Sequence, residues 1–529
     1  MNLSSGIQDS IGLNKVYLLQ RAVFLFILIA YFVLGIFLLD IFRYHINTDV
    51  PTYVAIAHKY AAGHFHDAIN SFWSPLISWL MVPLILFGMD PLVAFKVVGL
   101  VTGIFGFFVL KGLLLDFSIP ESDIPVLLLG LIPAFYAFTL ITMNPDFLLA
   151  VILLFYVRLV ISENYGKKIT DGLVCGFLGV VAYFAKGFAF PFFITHFIII
   201  NLCRYFSTVE ATVRKNILSC LIIGLVTFAF LSSPWIYLIS AKFGKLTFNN
   251  AGSYNFKLVM DHGRNPMEYI GFTAPPDPIS VSIFDSPDIL SAVSHLGGQE
   301  SIDIAQSIAI VGHNIIHTVD IYQAGSIFST TIIIFSVLFL MGLSKREVLG
   351  NKVSLALVTI VLYTAGYLPI LVNKRYFYLS IFLIFVLGVS LIYRHDFLVR
   401  GRKNVALVCL CISFMFMPIR DLYANVSVGR DIYRFSKVLG DMGVSGRIAS
   451  NGSLDGSLFA SYHLRAKYYG IASPGLSNSS LLRELNRYRI NYYFCWQGKP
   501  CHGLLSQYPE ISGGTLDHLR IYKLADTLR

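Results

Sequence analysis

The feature that most constrains this chain is its long runs of apolar residues without charge. Residues 22–39 contain no charged side chain, and neither do residues 216–240. Because about 20 consecutive apolar residues are needed to cross the hydrocarbon core of a bilayer, both runs predict membrane-spanning helices. Only 13% of the 529 residues are charged, against about 25% in a typical soluble domain. The chain is therefore predicted to be an integral membrane protein.

The basic residues between the apolar runs predict the orientation of the chain. Lys15 and Arg21 precede the first run, and basic residues recur at 167–168, 204–215, 345–352 and 394–403. Cytosolic loops are enriched in Lys and Arg, so the N-terminus is predicted to be cytosolic. This bias accounts for the net charge of +10 without a nucleic-acid partner. Spans placed between these loops predict about eleven transmembrane helices, at 18–40, 91–115, 123–141, 146–163, 171–186, 188–203, 217–240, 328–343, 353–372, 376–393 and 404–419.

The segment 171–203 is too long for one straight span, and a single crossing would put the next basic loop outside the cytosol. Two short helices that meet at Lys186-Gly187, close to Pro191, keep the charge bias intact. Broken helices are tolerated in membranes where they line a cavity. A lysine at such a break therefore marks a candidate site.

Three regions are predicted to lie on the extracytoplasmic side: the first outside loop (41–75), a large loop (241–327) and residues 420–529. In the first loop, the spacing at 52–62 predicts a helix on the membrane surface. The run 75–87 is either re-entrant or the first part of a bent second helix. The short apolar runs after residue 420 predict a compact α/β domain. The resulting domain assignment is a transmembrane domain at 1–419 and a C-terminal domain at 420–529.

Two cysteines in the last domain share a short polar turn, CWQGKPC. If this turn lies outside the cytosol, Cys495 and Cys501 are predicted to form a disulfide. Four histidines in the first loop raise the question of a metal site, but His64 and His66 alternate and spacing places no third ligand. No acidic cluster suited to a divalent metal is evident, so no cofactor is predicted.

Two carboxylates fall on the predicted outer side of the membrane. Asp49 follows the first helix in HINTDVPTY, and Asp146 lies in MNPDFLL at the start of the fourth helix. Each could simply cap the helix that follows it. Alternatively, a carboxylate at the rim of a cavity can act as a general base toward an acceptor hydroxyl.

Two cations lie at comparable depth, Lys186 in YFAKGF and Arg375 in VNKRYFY. Each could extend along the span to the membrane interface, as long basic side chains do. Alternatively, both could bind an anionic lipid headgroup, and the fixed fork of a guanidinium suits phosphate particularly well. Since ionisable groups inside spans are costly, a shared cavity for two acids and two cations is the preferred interpretation.

These features in this order resemble the GT-C superfamily of polyprenyl-phosphate-sugar glycosyltransferases. The likeness is strongest to the lipid A aminoarabinose transferases and the protein O-mannosyltransferases. It covers residues 41–393 and is carried by TDVPTYVAIAHKYAAGHF, SFWSPLISWLMVPLILFG, MNPDFLLAV, GFLGVVAYFAKGFAFP, SPWIYLISAKFGKLTF and NKRYFYLSIFLIF. The resemblance implies a polytopic helical fold and a catalytic base in the first outside loop.

The resemblance assigns the base to Asp49 and places Lys186 and Arg375 near the donor phosphate. With Asp146, these two cations are the predicted substrate-binding residues. The sequence departs from both likenesses. Val50 follows Asp49 where the O-mannosyltransferases have paired acids, and Ser74 stands where the aminoarabinose transferases carry a lysine. Neither specific substrate is therefore transferred to this chain.

The predicted function is inverting transfer of a sugar from a polyprenyl-phosphate donor to an acceptor hydroxyl on a lipid, polysaccharide or protein. The expected partners are these substrates and the surrounding membrane lipids, and the expected location is the bacterial plasma membrane. The main alternative is a lipid or polysaccharide transporter or flippase, although no repeated halves are visible. A catalytically silent relative that acts as an assembly partner is the third possibility.

Overall fold

The computed structural model describes residues 3–260, 266–286, 304–394, 400–498, 501, 505, 507–513, 516 and 518–524. The α-helices in the first half of the chain are α1 Leu3–Ile41, α2 Val50–Ala61, α3 Phe65–Ala68, α4 Leu76–Leu86, α5 Pro91–Asp116, α6 Ile124–Leu129, α7 Ile132–Ala137, α8 Asp146–Ile161, α9 Thr170–Ala185, α10 Ala189–Ser207, α11 Ala211–Phe243 and α12 Ala251–Met260. The later helices are α13 Ile304–Gly325, α14 Ser329–Met341, α15 Lys345–Gly350, α16 Lys352–Ala365, α17 Tyr378–Arg394, α18 Arg400–Ala424, α19 Val428–Asp441, α20 Leu454–His463 and α21 Asn478–Arg487.

The helices form a polytopic membrane fold, as predicted. In the described residues, seven helices are long and apolar enough to cross a membrane, and an eighth span results if the bent pair α13 and α14 is counted as one. Large apolar side chains on these helices point outward. Phe26 and Phe37 in α1 are each 69% exposed, and Phe230 in α11 is 73% exposed. Such side chains are suited to contact with lipid rather than water.

Each of the eleven predicted segments contains helix, but several of these helices are short, among them α8, α9 and α16. Helices α8 and α9 have 16 residues each and α16 has 14. At about 1.5 Å per residue, a 16-residue helix rises about 24 Å, less than the hydrocarbon thickness of about 30 Å. Their ends at Asp146, Ala185 and Ala365 border or adjoin one cavity, described below.

The predicted break in the segment 171–203 is confirmed. Helix α9 ends at Ala185 and α10 begins at Ala189. Between them, Lys186 has an extended backbone, with φ −157° and ψ 130°. A helix interrupted in this way leaves backbone groups available to line a cavity.

The first outside loop corrects one expectation. A helix is present where one was predicted, but nearly all of α2 is buried in the protein rather than lying on the membrane surface. The reason is that α2 packs between α4 and the short turn Ile283–Asp285 of the large loop. The run 75–87 forms its own helix, α4, which a turn with Gly88 at φ +84° separates from α5.

The large loop also contains more regular structure than expected. Residues 241–327 were predicted as a loop, but α12 and α13 lie within this range. Helix α13 is bent by 102° relative to α14. Its buried positions include Asn314 and Thr318, whereas Ile308 and Ile316 are exposed. Polar residues of α13 are thus buried and apolar residues are exposed, the reverse of a soluble amphipathic helix. The sequence therefore does not show the familiar pattern of apolar residues facing a core.

The predicted C-terminal α/β fold is confirmed by a four-stranded sheet in the order β2-β1-β3-β4. The strands are β1 Arg447–Ser450, β2 Lys467–Ile471, β3 Tyr492–Trp496 and β4 Leu519–Lys523, and only β4 is antiparallel among them. Cys495 and Cys501 are joined by a disulfide, as predicted. The predicted domain boundary at residue 420 falls inside α18, which ends at Ala424.

The sheet packs on the first outside loop. Apolar residues of α2, α4, β1 and β2 belong to one buried cluster. The backbone N–H of Tyr468 donates to the carbonyl of Val281 (2.8 Å), and the N–H of Thr273 donates to the carbonyl of Tyr469 (2.8 Å). Segment 266–286 thus ties the sheet to α2, the helix that begins next to Asp49.

Candidate functional site

One cavity of about 980 Å³ gathers all four residues predicted from the sequence. Asp49, Asp146, Lys186 and Arg375 border it, although up to 326 positions separate them in the chain. Among the described residues that border the cavity, these four are the charged ones. The predicted convergence is therefore confirmed, while the roles of the four residues remain predictions.

Asp49 does not cap the helix that follows it. Its side chain makes no capping hydrogen bond to α2. Instead, the side-chain oxygen of Asn47 accepts the backbone N–H groups of Asp49 (2.9 Å) and Val50 (3.2 Å). The carboxylate of Asp49 is left to accept a hydrogen bond from Nη1 of Arg375 at 2.7 Å. The capping alternative for Asp49 is therefore wrong.

Asp146 is the first residue of α8 and is almost fully buried. The turn before it reverses the chain at Met143, whose φ of +45° is left-handed and uncommon for a side chain other than glycine. The Asp146 carboxylate forms an ion pair with Nζ of Lys186, and its other oxygen lies 3.8 Å from Nε of Arg375. Arg375 therefore lies between the two carboxylates.

Lys186 and Arg375 both border the cavity and pair with its carboxylates. Nζ of Lys186 lies 3.7 Å from the ring centroid of Tyr376, in addition to its pairing with Asp146. Arg375 lies on the short turn Lys374–Phe377, where the side chain of Asn373 accepts its backbone N–H. Within the described chain, Nε of Arg375 is buried and donates no hydrogen bond. These contacts favour the shared-cavity interpretation of the two cations.

The neighbouring lysine behaves differently. Lys374 is turned away from the cavity and pairs with Asp421 of α18 at 2.7 Å. Both side chains are partly exposed, at 39% and 30%. Of these two adjacent basic residues, Arg375 borders the cavity and Lys374 pairs with an acid outside it.

Two uncharged parts of the cavity surface extend from the four charged residues. One is an apolar corridor between α10 and α16, bordered by Phe188, Pro191, Phe192, Leu362, Ala365 and Leu371. The other is an aromatic wall from the outside loops, bordered by Tyr53, Phe72, Trp73, Tyr254 and Phe284. Trp73 links the two loops, because its indole N–H donates to the carbonyl of Phe284 at 3.0 Å.

Tyr53 connects the aromatic wall to the carboxylates. It lies one turn after Asp49 on α2 and is buried. Burial raises the pKa of Tyr53 well above its ordinary value, and the nearby carboxylates of Asp49 and Asp146 raise it further. The phenol therefore keeps its proton and remains a possible hydrogen-bond donor in the cavity.

The sequence interpretation missed several residues of the cavity. Tyr367 and Tyr376 flank Lys186, and Trp73 and Phe284 come from different loops. The aromatic run after Arg375 was a visible signal for Tyr376, but no pattern paired Trp73 with Phe284. In the described residues, no group of three or more His, Cys, Asp or Glu side chains could hold a metal ion.

Comparison with solved structures identifies the fold. ArnT from Cupriavidus metallidurans bound to undecaprenyl phosphate superposes with a TM-score of 0.57 at 12% identity, over 96% of this chain and 98% of that one. The GT-C fold predicted from the sequence is thereby shown.

A second GT-C structure agrees. The oligosaccharyltransferase AglB from Archaeoglobus fulgidus, in complex with an inhibitory peptide and a dolichol-phosphate, gives a TM-score of 0.51 at 10% identity. The match covers 89% of this chain and 69% of that one. No protein-family model and no curated protein matches the chain at the level of sequence. The GT-C likeness therefore concerns the fold.

Proposed function

We propose that the chain is an inverting membrane glycosyltransferase that moves a sugar from a polyprenyl-phosphate donor to an acceptor hydroxyl. The observation that carries the proposal is the convergence of two carboxylates and two cations on one cavity of a GT-C fold. The two solved structures compared above contain undecaprenyl phosphate and dolichol-phosphate. A lipid-linked phosphate is therefore the chemically consistent donor.

The donor phosphate is assigned to Lys186 and Arg375. Both cations pair with carboxylates in this structure, and Nε of Arg375 still has a hydrogen to donate. Charge-assisted hydrogen bonds from guanidinium and ammonium to phosphate oxygens are strong, so phosphate can compete with the carboxylates for these groups. The apolar corridor beside Lys186 offers a surface for the first units of the polyprenyl chain.

Asp49 is assigned the role of general base. Its carboxylate accepts the proton of the acceptor hydroxyl while the hydroxyl oxygen bonds to the anomeric carbon. The bond from that carbon to the phosphate oxygen breaks on the opposite face, so the configuration inverts and polyprenyl phosphate leaves with the bonding electrons. Fixed cations stabilise the charge that develops on this phosphate. Positioned acid–base groups typically contribute about 10²–10⁴-fold to a rate.

The aromatic wall is assigned to the acceptor. It carries no charge among the described residues, and Ser74 borders it where the resembling aminoarabinose transferases carry a lysine. Aromatic rings have a negative face that suits the weakly positive C–H groups of a sugar ring. The surroundings of the reacting hydroxyl are therefore expected to be neutral, on a lipid, polysaccharide or protein acceptor.

The proposed orientation follows from the positive-inside bias of the loops. The N-terminus would be cytosolic, and the cavity, the large loop and the C-terminal sheet would face the extracytoplasmic side. Because the polyprenyl donor is membrane-embedded, the enzyme would work at the outer leaflet of a bacterial plasma membrane.

The decisive experiment is Asp49→Asn in the full-length purified protein. With a panel of radiolabelled polyprenyl-phosphate sugars, we expect transfer to fall by about 10²–10⁴-fold, because the amide cannot accept the acceptor proton. Thermal unfolding and binding of polyprenyl phosphate should stay close to wild type. The measurement is release of the lipid phosphate together with appearance of the labelled acceptor.

A matched control is Asp421→Asn, which makes the same chemical change at a partly exposed acid paired with Lys374. This variant should keep wild-type turnover. Wild-type turnover in Asp49→Asn would refute the base assignment. Lipid translocation by the wild-type protein without any sugar transfer would favour the flippase alternative instead.

A further inference from the structure

The side-chain amide of Asn47 joins the two turns that carry the carboxylates. Its oxygen accepts the N–H groups of Asp49 and Val50, at 2.9 and 3.2 Å. Its nitrogen donates to the backbone carbonyl of Thr142, and to that of Met143 at 3.3 Å. The oxygen therefore holds the start of α2, and the nitrogen holds the turn that leads to Asp146.

The orientation of this amide follows from its partners. Both groups next to the oxygen are backbone donors, and both groups next to the nitrogen are backbone acceptors. If the amide oxygen and nitrogen were exchanged, the NH2 group would face the two backbone N–H groups and the oxygen would face the two backbone carbonyls. The arrangement therefore needs both the side-chain oxygen and the NH2 group of the asparagine. Capping of α2 alone would need only the oxygen.

The turn that Asn47 holds has an unusual backbone. The π-helix Phe138–Thr142 ends there, and Met143 adopts the left-handed conformation with φ of +45°. Such conformations persist where neighbouring groups stabilise them, and they recur at functional sites. The Thr142 carbonyl accepts a second hydrogen bond, from the side chain of Asn144 at 2.8 Å. The side-chain amides of Asn47 and Asn144 thus both donate to the Thr142 carbonyl, in the turn that positions Asp146.

A second connection between the carboxylates is ionic and is expected to change during the reaction. Arg375 contacts Asp49 at 2.7 Å and approaches Asp146 to 3.8 Å. Under the proposed function, the donor phosphate takes hydrogen bonds from Arg375, so the guanidinium holds the two acids less firmly. The four hydrogen bonds of the Asn47 amide go to backbone groups, so they can persist when the phosphate is bound.

We propose that Asn47 is a positioning residue that keeps the Asp49 carboxylate in register with the Asp146 turn while the donor occupies the cations. The inference rests on the proposed function, because it concerns the geometry of the same site. A general base must lie within about 3 Å of the proton that it accepts. A displacement of about 1 Å can cost about 100-fold in rate.

The test variant is Asn47→Asp in the full-length protein. A carboxylate keeps both acceptor bonds at the start of α2 but cannot donate to the carbonyls of Thr142 and Met143. We expect kcat to fall by about 10- to 100-fold, with the KM for the lipid-linked donor within about twofold of wild type. A purely structural role would instead lower the folded fraction without separating kcat from KM.

Asn351→Ala is the matched control, because Asn351 caps α16 through the N–H of Val353 (2.9 Å) and lies outside the cavity. It should lower the thermal unfolding temperature and leave kcat unchanged. Asn47→Ser serves if Asn47→Asp folds poorly, since serine also caps helices but its side chain is too short to reach Thr142. Wild-type kcat in a folded Asn47→Asp or Asn47→Ser variant would overturn the inference.

Amide hydrogen exchange separates this inference from the proposed function. Exchange in the 142–147 segment should quicken in Asn47→Asp, whereas the amides of Asp49 and Val50 should stay protected. Unchanged exchange at 142–147 would show that the amide does not hold this turn, whatever the activity. If the wild-type protein transfers no sugar while exchange changes as expected, the proposed function fails and the structural connection stands.

Discussion

Two clusters in this molecule have the same formal composition, two carboxylates and two lysine or arginine side chains. The cavity cluster consists of Asp49, Asp146, Lys186 and Arg375. The second cluster, here called the interloop cluster, consists of Lys59, Asp277, Asp285 and Lys467. It lies where α2, the segment 266–286 and strand β2 meet.

The interloop cluster is filled by partners from the protein. Nζ of Lys59 contacts Asp277 at 2.6 Å and the hydroxyl of Ser280 at 2.9 Å. The hydroxyl of Thr52 donates to Asp285 at 2.8 Å, and Nζ of Lys467 donates to the carbonyl of Ser280 at 2.7 Å. These ion pairs and hydrogen bonds connect three segments, although Oδ2 of Asp285 is buried without a hydrogen-bond partner in the described residues.

The cavity cluster differs because its charges border about 980 Å³ of open space. Arg375 retains a buried Nε–H without an acceptor in the described residues. Charge composition alone therefore does not distinguish a binding site from a structural junction. Open space beside the charges makes the distinction.

The sharpest test of this comparison is the same substitution in both clusters, Lys186→Met and Lys59→Met. Lys186→Met should lower sugar transfer by about 100-fold or more, because a cation that stabilises the leaving phosphate is removed. Lys59→Met should lower the free energy of unfolding by about 3–5 kcal/mol, since it leaves a largely buried carboxylate unpaired. Lys59→Met should nevertheless keep the turnover of the folded fraction within about twofold of wild type, because Lys59 does not border the cavity.

The measurements are donor turnover per folded molecule and denaturant unfolding in detergent for both variants. The comparison breaks if Lys59→Met loses turnover as strongly as Lys186→Met while remaining folded.

The next effect concerns pH and the interloop cluster. Burial raises the pKa of Asp285 to about 6, although Lys59 and the Thr52 hydroxyl act in the opposite direction. The unfolded chain has a pKa near 3.9 at this position. Between about pH 4 and pH 6, the folded state therefore holds a proton that the unfolded state has lost. Stability contributed by this proton is complete below about pH 4 and is lost as the pH rises through 6.

The variant Asp285→Asn should remove this dependence. From pH 4.5 to pH 7, the free energy of unfolding of Asp285→Asn should increase relative to that of the wild-type protein by on the order of 2 kcal/mol. Burial raises the pKa of Asp277, but the charge of Lys59 and the hydrogen bonds from Lys59 and Ser280 together lower it below its ordinary value, so Asp277 acts below this window. A constant difference between Asp285→Asn and wild type across this range would show that Asp285 does not titrate there.

The smallest expected effect is at Lys374, the neighbour of Arg375. Its ion pair with Asp421 is partly exposed, so Lys374→Ala should change the free energy of unfolding by less than about 1 kcal/mol. Transfer should remain at the wild-type level, because Lys374 does not border the cavity. Loss of transfer in Lys374→Ala comparable to that in an Arg375 variant would mean that the cavity extends to the outer turn.

The sequence alone was sufficient for the membrane architecture and for the four charged residues of the cavity. Uncharged runs long enough to cross a bilayer have few alternatives, because unsatisfied backbone groups are costly in lipid. The break at Lys186 was predictable for the same reason, since a charge and a helix interruption inside a span need a cavity. The ordered motifs around Asp49, Asp146 and Arg375 placed the other three.

Only the tertiary structure decided the partners of these residues. No local pattern shows that Asn47, rather than Asp49, caps α2, or that the same amide reaches the turn at Met143. The burial of α2 and the interloop cluster likewise depend on a segment more than 200 positions later in the chain. Periodicity and composition report what each stretch of chain prefers, whereas hydrogen bonds between distant segments depend on how those stretches pack together.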